Sequence, residues 1–205
     1  MKLVLVGINH FDPLCKESLA RTLIELRNCY GLPPAFVAVE WDESLFSKVC
    51  AQRAAFREKC RLEWPDAGEE TLKVLEASLG FEGDTHREVF GDLQTLWLDQ
   101  GRQGNVENYA SQRFVMYKDF LREKTNKDCP TMLSKLSVVA RHRQGRLDAG
   151  TQRDQKWEEL LLERLSKGPG LWAICVIGAG HIANIPGGIR TRLEAKGQQC
   201  EIVNL

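Results

Sequence analysis

The sequence predicts an α/β fold in which a central, mainly parallel sheet is flanked by helices and carries an α-helical insert. Three observations support this prediction. The first forty residues have the pattern of a strand, a helix and a second strand. Aliphatic and amphipathic segments then alternate along the rest of the chain. Two of the aliphatic segments end in the same G-x-x-H pattern. A chain of 205 residues, 43% of them hydrophobic, is long enough for one buried core, so we predict a single domain over residues 1–205.

The first β-α-β unit begins with Lys2 to Val6, an aliphatic run typical of a buried parallel strand. The pair Asp12-Pro13 then predicts an N-cap and the first position of a helix. That helix has apolar residues at helical spacing, namely Leu19, Leu23, Leu26 and Tyr30. A second strand, Ala35 to Val39, ends at Glu40. Because such crossovers make the two strands parallel, His10 and Glu40 should emerge at the same edge of the sheet.

The middle of the sequence predicts mainly helices. Asp42 is placed to cap a long helix, and Thr85 with Glu88 matches a capping box that predicts another helix start. Thr95 to Leu98 predicts a third strand, which ends in Asp99. Two amphipathic segments beyond it predict an α-helical insert over approximately residues 104–146.

The last quarter of the chain returns to the α/β pattern. A helix with an apolar stripe around Trp157 precedes Leu171 to Ile177, the most hydrophobic strand of the sequence. A short helix and a final strand, Glu201 to Val203, complete the predicted sheet.

Two histidines follow aliphatic strands in the same way. Gly7-Ile8-Asn9-His10 and Gly178-Ala179-Gly180-His181 both place a glycine at the strand end and a histidine three residues later. Open α/β sheets bind their ligands at the carboxyl ends of strands, where Glu40 is also expected. Two imidazoles and a carboxylate there predict either a metal site at His10, Glu40 and His181 or a metal-free acid–base centre that activates water.

Each of these residues also has a structural interpretation. A histidine after a strand is often a hydrogen-bonded turn residue, and Glu40 alone could cap a helix, although Asp42 is better placed to do so. His86 and His142 are expected to be structural or solvated. The segment beginning at Gly178 also fits a dinucleotide-binding fingerprint, but too little chain follows it for that fold.

On these residues the sequence resembles the TraB/PrgY-like family, in the superfamily of the Tiki proteases, the ChaN-like proteins and the erythromycin-esterase-like enzymes. The resemblance spans most of the chain, and its motifs are Gly7 to His10, Val39-Glu40, Leu96 to Asp99, Gln152-Arg153-Asp154 and Val176 to Ile182. It implies an α/β fold and an active-site cleft that contains both G-x-x-H histidines and the glutamate. Members of the family are similar to metal-dependent peptidases or to esterases, while others bind ligands.

Further site residues come only from that resemblance. It implies that Arg153 reaches the cleft as an anion or oxyanion partner. It also implies that Asp154, or an acid of the Glu82 to Asp84 segment, lies nearby, and within that segment we select Asp84. The leading hypothesis is therefore a peptidase-type or esterase-type hydrolase that uses a divalent metal (Mn, Co or Zn) or directly activated water. The alternative hypothesis is a non-catalytic protein that binds a small ligand or haem in the same cleft.

Composition restricts the partners. Lys+Arg and Asp+Glu are equal at 28 each, which gives no bulk electrostatic reason to expect nucleic acid or an anionic membrane as a partner. No apolar run reaches the roughly 20 residues of a membrane helix, and seven scattered cysteines indicate neither a disulfide framework nor a zinc knuckle. We expect a cytoplasmic protein, acting on a small-molecule or peptide substrate and able to form a homodimer.

Overall fold

The sheet and its helices confirm the predicted α/β class. The computed structural model of the chain describes residues 1–101, 108–124, 129–143, 152–168 and 170–205. The strands are β1 (Lys2–Ile8), β2 (Val37–Val39), β3 (Thr95–Trp97), β4 (Trp172–Gly178) and β5 (Cys200–Asn204). The helices are α1 (Cys15–Tyr30), α2 (Glu43–Ala51), α3 (Arg53–Glu63), α4 (Glu69–Ala77), α5 (Thr85–Phe90), α6 (Tyr109–Arg122), α7 (Met132–Arg143), α8 (Gln152–Lys167), α9 (Ala179–Ile182) and α10 (Ile189–Ala195).

All strand pairs in the sheet are parallel, and the strand order is β3-β2-β4-β1-β5. Strand β4 therefore lies between β1 and β2. Its register pairs Gly178 with Ile8 on one side and Val176 with Val39 on the other. The carboxyl ends of these three strands consequently lie side by side at one edge of the sheet, which is where the sequence places its candidate site residues.

Both faces of the sheet are covered, as expected for a parallel sheet with continuous aliphatic strands. On one face, Val4 and Val6 pack with the apolar stripe of α1 that includes Leu23. On the other face, Leu5 packs with α8 and α10, whose buried residues include Trp157. Alternate residues of β1 thus enter opposite halves of the core, because successive side chains of a strand point to opposite faces.

The predicted helical insert corresponds, within the described residues, to α6 and α7, which pack against each other. Together with α2, α3 and α4 they form a third hydrophobic cluster, whose buried members include Phe56, Tyr117 and Leu136. The predicted bounds of the insert, at about residues 104 and 146, lie outside the described part of the chain. None of the described helices combines the length and the apolar character that crossing a membrane requires.

Two predicted N-caps do not form, although α5 does begin at Thr85. Helix α1 begins at Cys15 rather than at Pro13, because Asp12 instead caps the preceding turn by accepting the N–H of Leu14. The capping box at Thr85 does not form, because the Thr85 hydroxyl donates to the carbonyl of Phe81 at a distance of 2.6 Å. In both places the side chain forms a hydrogen bond within a neighbouring turn instead of capping the helix.

The helix predicted after β2 does begin as expected. Asp42 accepts the backbone N–H groups of Ser44 and Leu45 and so caps α2. The helix is nevertheless shorter than predicted, because it ends at Ala51 and α3 starts anew after Gln52. The apolar stripe continues across this break, which is why periodicity alone did not reveal it.

Candidate functional site

Three strand ends bring His10, Glu40 and His181 together. His10 follows β1, Glu40 directly follows β2, and His181 lies in the one-turn helix α9 that follows β4. Because β4 lies between β1 and β2, the backbone N–H of Gly178 at its end donates to Glu40 Oε2 over 2.8 Å. The predicted juxtaposition of two histidines and a glutamate is therefore present.

Glu40 is the centre of this cluster. Its Oε2 lies 3.1 Å from His10 Nε2, and its Oε1 accepts from Arg153 Nη2 over 2.7 Å. His181 Nε2 is 3.7 Å from Oε1, which is too long for a hydrogen bond. Burial would raise the pKa of Glu40, but His10 and Arg153 hold that pKa well below its usual range. Glu40 is thus an ionised carboxylate with both oxygens engaged.

His10 is held between two carboxylates. Its Nε2 faces Glu40, and its Nδ1 lies 2.8 Å from Oε1 of Glu82, which also accepts from the indole N–H of Trp41. Burial alone would lower the pKa of His10, yet the charges of Glu40 and Glu82 raise it to about 10. At neutral pH His10 is therefore an imidazolium that donates from both ring nitrogens.

His181 has different surroundings. Its Nδ1 lies 2.7 Å from Oδ1 of Asp154, a fully buried carboxylate at the start of α8. The indole ring of Trp157 packs against the imidazole at a centroid distance of 4.8 Å. Nε2 has no hydrogen-bond partner among the residues that the structure describes. A histidine oriented by a buried carboxylate, with its second nitrogen unengaged, is the arrangement of a general base.

Arg153 connects the strand ends to α8. Besides its bond to Glu40, its guanidinium donates to both oxygens of Asp99, the acid at the end of the third predicted strand. The guanidinium stacks on Trp157 with 4.6 Å between Cζ and the ring centroid, and the Trp157 indole N–H donates to Asp99. Nη1 makes no hydrogen bond within the described residues, and a third of the side chain is exposed. Arg153 therefore retains two N–H donors for a ligand.

One predicted site residue is not in the cluster. Asp84 pairs with Arg53 of α3 at 2.7 Å and contacts neither histidine, whereas the acid that binds His10 is Glu82. Both acids belong to the segment that the resemblance indicated. Glu82 lies in a 3₁₀ turn (Phe81–Gly83) that directs it inward, and composition alone could not distinguish it from Asp84.

The other two described histidines lie outside the cluster. His86 is fully buried on α5 and its Nε2 lies 2.8 Å from the hydroxyl of Thr95, while His142 is exposed near the end of α7. The positions of both agree with structural or solvated roles.

The arrangement fits a metal ion poorly. No group of three His, Cys, Asp or Glu side chains among residues 1–101, 108–124, 129–143, 152–168 and 170–205 is arranged to hold one. The donor set explains why: His10 uses both nitrogens on carboxylates, and the Arg153 guanidinium already neutralises Glu40. A cation at Glu40 would have to displace these partners and face the positive charge of Arg153. Divalent metal and haem remain predictions of the sequence.

Comparisons with known proteins add little. No family model matches the chain, and no curated protein matches it. Among solved structures, the chain is similar to one titled the structure of the type III effector HopBA1, with 14% sequence identity and a TM-score of 0.36. That match covers 88% of this chain and 67% of the other. At this level of similarity no function transfers from one protein to the other.

Proposed function

We propose that the protein is a hydrolase of the peptidase or esterase type, in which His181 activates water without a metal ion. The observation that carries the proposal is the contrast between the two histidines. His181 Nδ1 is bound to the buried Asp154 while its Nε2 is unengaged, whereas both nitrogens of His10 are bound to carboxylates. Of these two histidines, only His181 can accept a proton without losing an existing hydrogen bond.

In the proposed reaction, His181 Nε2 takes a proton from water as the water oxygen bonds to the carbonyl carbon of an ester or peptide. The resulting tetrahedral oxyanion is stabilised by Arg153 Nη1, whose donors have no partner within the described residues. His181 then returns the proton to the departing alkoxide or amine as the carbon–oxygen or carbon–nitrogen bond breaks. Asp154 stabilises the transient imidazolium of His181.

His10 has an electrostatic role in this proposal. Its positive charge lies against Glu40 and Glu82, so it holds the central carboxylate in place beneath Arg153. Glu40 in turn fixes Arg153 and the backbone of Gly178. The family resemblance belongs to the same proposal, since both G-x-x-H histidines and the strand-two glutamate meet at one sheet edge.

The experiment is a hydrolysis assay with purified protein on p-nitrophenyl acetate, p-nitrophenyl butyrate and peptide p-nitroanilides. We expect His181→Gln to reduce kcat/KM by about a hundredfold or more, because general-base catalysis contributes that much. His142→Gln is the matched control, since His142 is exposed on α7 and should leave the rate unchanged. Equal rates in the wild type and in His181→Gln would contradict the proposal.

A further inference from the structure

Arg113 of α6 is a buried cation beside the first histidine. Its side chain is 3% exposed, Nη1 donates to the backbone carbonyl of His10, and Nη2 donates to the Tyr109 hydroxyl over 2.6 Å. The guanidinium also lies over the rings of Phe11, Tyr109 and Tyr117, at 5.0, 5.4 and 5.8 Å from Cζ to the ring centroids. These contacts join the helical insert directly to the G-x-x-H loop after β1.

The burial of this arginine needs an explanation. A buried charge is costly unless it is paired, and no carboxylate lies within ion-pair distance of Arg113 among the described residues. Aromatic faces compensate in part through cation–π attraction. Besides these aromatic contacts, Arg113 donates to the Tyr109 hydroxyl and to the His10 carbonyl, and the second of these hydrogen bonds fixes the backbone at His10.

The second helix of the insert holds the same loop two residues further on. Oδ2 of the buried Asp12 accepts from the Ser137 hydroxyl over 2.8 Å and from Arg141 Nε over 3.2 Å. The Asp12 N–H in turn donates to the carbonyl of Asn9. Helices α6 and α7 therefore each hold one end of the short segment from His10 to Asp12.

We propose that Arg113 is a positioning residue for the candidate site, which holds the His10 backbone so that the imidazole reaches Glu40 and Glu82 at the same time. Its consequence for catalysis rests on the proposed function, but the positioning itself does not. His10 must span two carboxylates on different elements, at 3.1 Å and 2.8 Å, so a small displacement of its backbone would break one of the two bonds.

The test is NMR of ¹⁵N-labelled protein, which observes the ring N–H protons of His10 and His181 without any substrate. In Arg113→Met we expect the His10 ring protons to exchange with water roughly tenfold faster or more, as loss of a hydrogen bond from a charged group requires. The His181 Nδ1 proton, bound to Asp154, is the internal reference and should keep its wild-type exchange rate.

Two further variants keep the test decisive. Arg57→Met removes an arginine that pairs with Glu69 and Glu76 between α3 and α4, and should leave the His10 signals unchanged. If Arg113→Met does not fold, Arg113→Lys takes its place, because lysine keeps the charge but lacks the planar pair of NH2 groups with which Arg113 binds the His10 carbonyl and the Tyr109 hydroxyl. The lysine variant should show faster His10 exchange than the wild type.

Selective acceleration at His10 supports the inference. Wild-type exchange at His10 in the folded variant overturns it, and so does equal acceleration at His10 and His181, since that would indicate general loosening of the fold. An inactive wild-type protein with a selective His10 effect would reject the proposed function while leaving the positioning role intact.

Discussion

At the scale of single residues, two histidines in equivalent sequence motifs have unlike surroundings. His10 bridges Glu40 and Glu82, and its pKa is raised to about 10, whereas His181 is bound through one nitrogen to Asp154. A pair of titratable groups whose environments differ in this way indicates separate roles. The sequence repeat alone suggested two equivalent site residues, either as metal ligands or as parts of an acid–base centre, because it contains no information about the partners of each ring.

Asp154→Asn tests the orienting role of the buried carboxylate. The amide cannot stabilise a protonated His181, and it can reverse the tautomer so that Nε2 carries the proton. We expect kcat to fall by about a thousandfold or more, as in other histidine–carboxylate pairs. Stopped-time assays on p-nitrophenyl acetate measure this, with the exposed Asp119→Asn on α6 as a matched control. A variant with wild-type kcat would show that Asp154 is only structural.

Metal removal tests whether the hydrolase uses a divalent metal or water activated directly by His181. If water is activated by His181 alone, dialysis against EDTA should leave the hydrolysis rate within about twofold of the untreated rate. Elemental analysis and an absorbance spectrum of the same sample identify any bound metal or haem. Loss of activity on chelation, with recovery on adding Mn²⁺, Co²⁺ or Zn²⁺, would instead support the hypothesis that His10, Glu40 and His181 bind a catalytic metal ion.

At the scale of elements, the position of β4 between β1 and β2 creates the site. The end of β4 approaches the cluster so closely that a Cβ on Gly178 would lie 3.0 Å from His10 Nε2 and 3.4 Å from Glu40 Oε2. Glycine is needed here for space, since the φ of Gly178 is −54°, a value that any residue adopts. The second G-x-x-H motif thus requires Gly178 because a side chain there would push the end of β4 away from His10 and Glu40.

Gly178→Ala is expected to reduce kcat/KM by about tenfold while the protein remains folded. The added methyl group must push His10 or Glu40 aside, and misplacement of catalytic groups by a fraction of an ångström is costly. The control is Gly68→Ala at the N-cap of α4, where the added Cβ would have no atom within 4 Å. Equal kcat/KM values for the two variants would mean that the β4 end does not constrain the cluster.

Most elements were predictable from the sequence, and the reasons for the failures are local. The strands were found because buried parallel strands are continuous aliphatic runs, as in β1 and β4. The start of α1 was missed because Asp12 caps the preceding turn through Leu14 and also accepts from Ser137 and Arg141 of α7, contacts that only the tertiary structure reveals. Arg113 was missed for the same reason, since an arginine in an amphipathic helix gives no sign of being buried.

The candidate site was predictable only in part. His10, Glu40 and His181 could be placed because strand ends of a parallel sheet share an edge, and Arg153 and Asp154 followed from the family resemblance. The choice of Asp84 over Glu82 failed because the direction of the 3₁₀ turn decides which acid faces inward. Asp99 could not be identified as a partner of Arg153, because the strand order decides where Asp99 lies and this sequence pattern does not reveal that order.

At the scale of the whole molecule, the cluster should make stability depend on pH. The pKa of His10 is raised to about 10 in the folded protein, so the folded state binds its proton more tightly than the unfolded state does. This contribution is fully present below about pH 6.5 and is lost as pH rises towards 10. Buried His86 acts in the opposite direction, because its pKa is lowered to about 4 and its contribution is lost as pH falls from 6.5.

Urea unfolding at a series of pH values measures this dependence. We expect the wild-type free energy of unfolding to decrease between pH 6.5 and pH 8, below the pH at which the buried thiols of Cys15, Cys60 and Cys175 begin to contribute, and His10→Gln to remove most of that decrease. His142→Gln, which changes an exposed histidine, should follow the wild-type curve. A His10→Gln curve parallel to that of the wild type over this range would mean that His10 is not held as an imidazolium.

The division of roles between the two histidines is tested most directly by their protonation states. Long-range ¹H–¹⁵N NMR spectra of the histidine rings at pH 8, assigned with His10→Gln and His181→Gln, report which nitrogens carry protons. We predict protons on both nitrogens of His10 and on Nδ1 alone of His181, which leaves Nε2 as the acceptor. A proton on Nε2 of His181, or an unprotonated nitrogen in His10, would contradict the account.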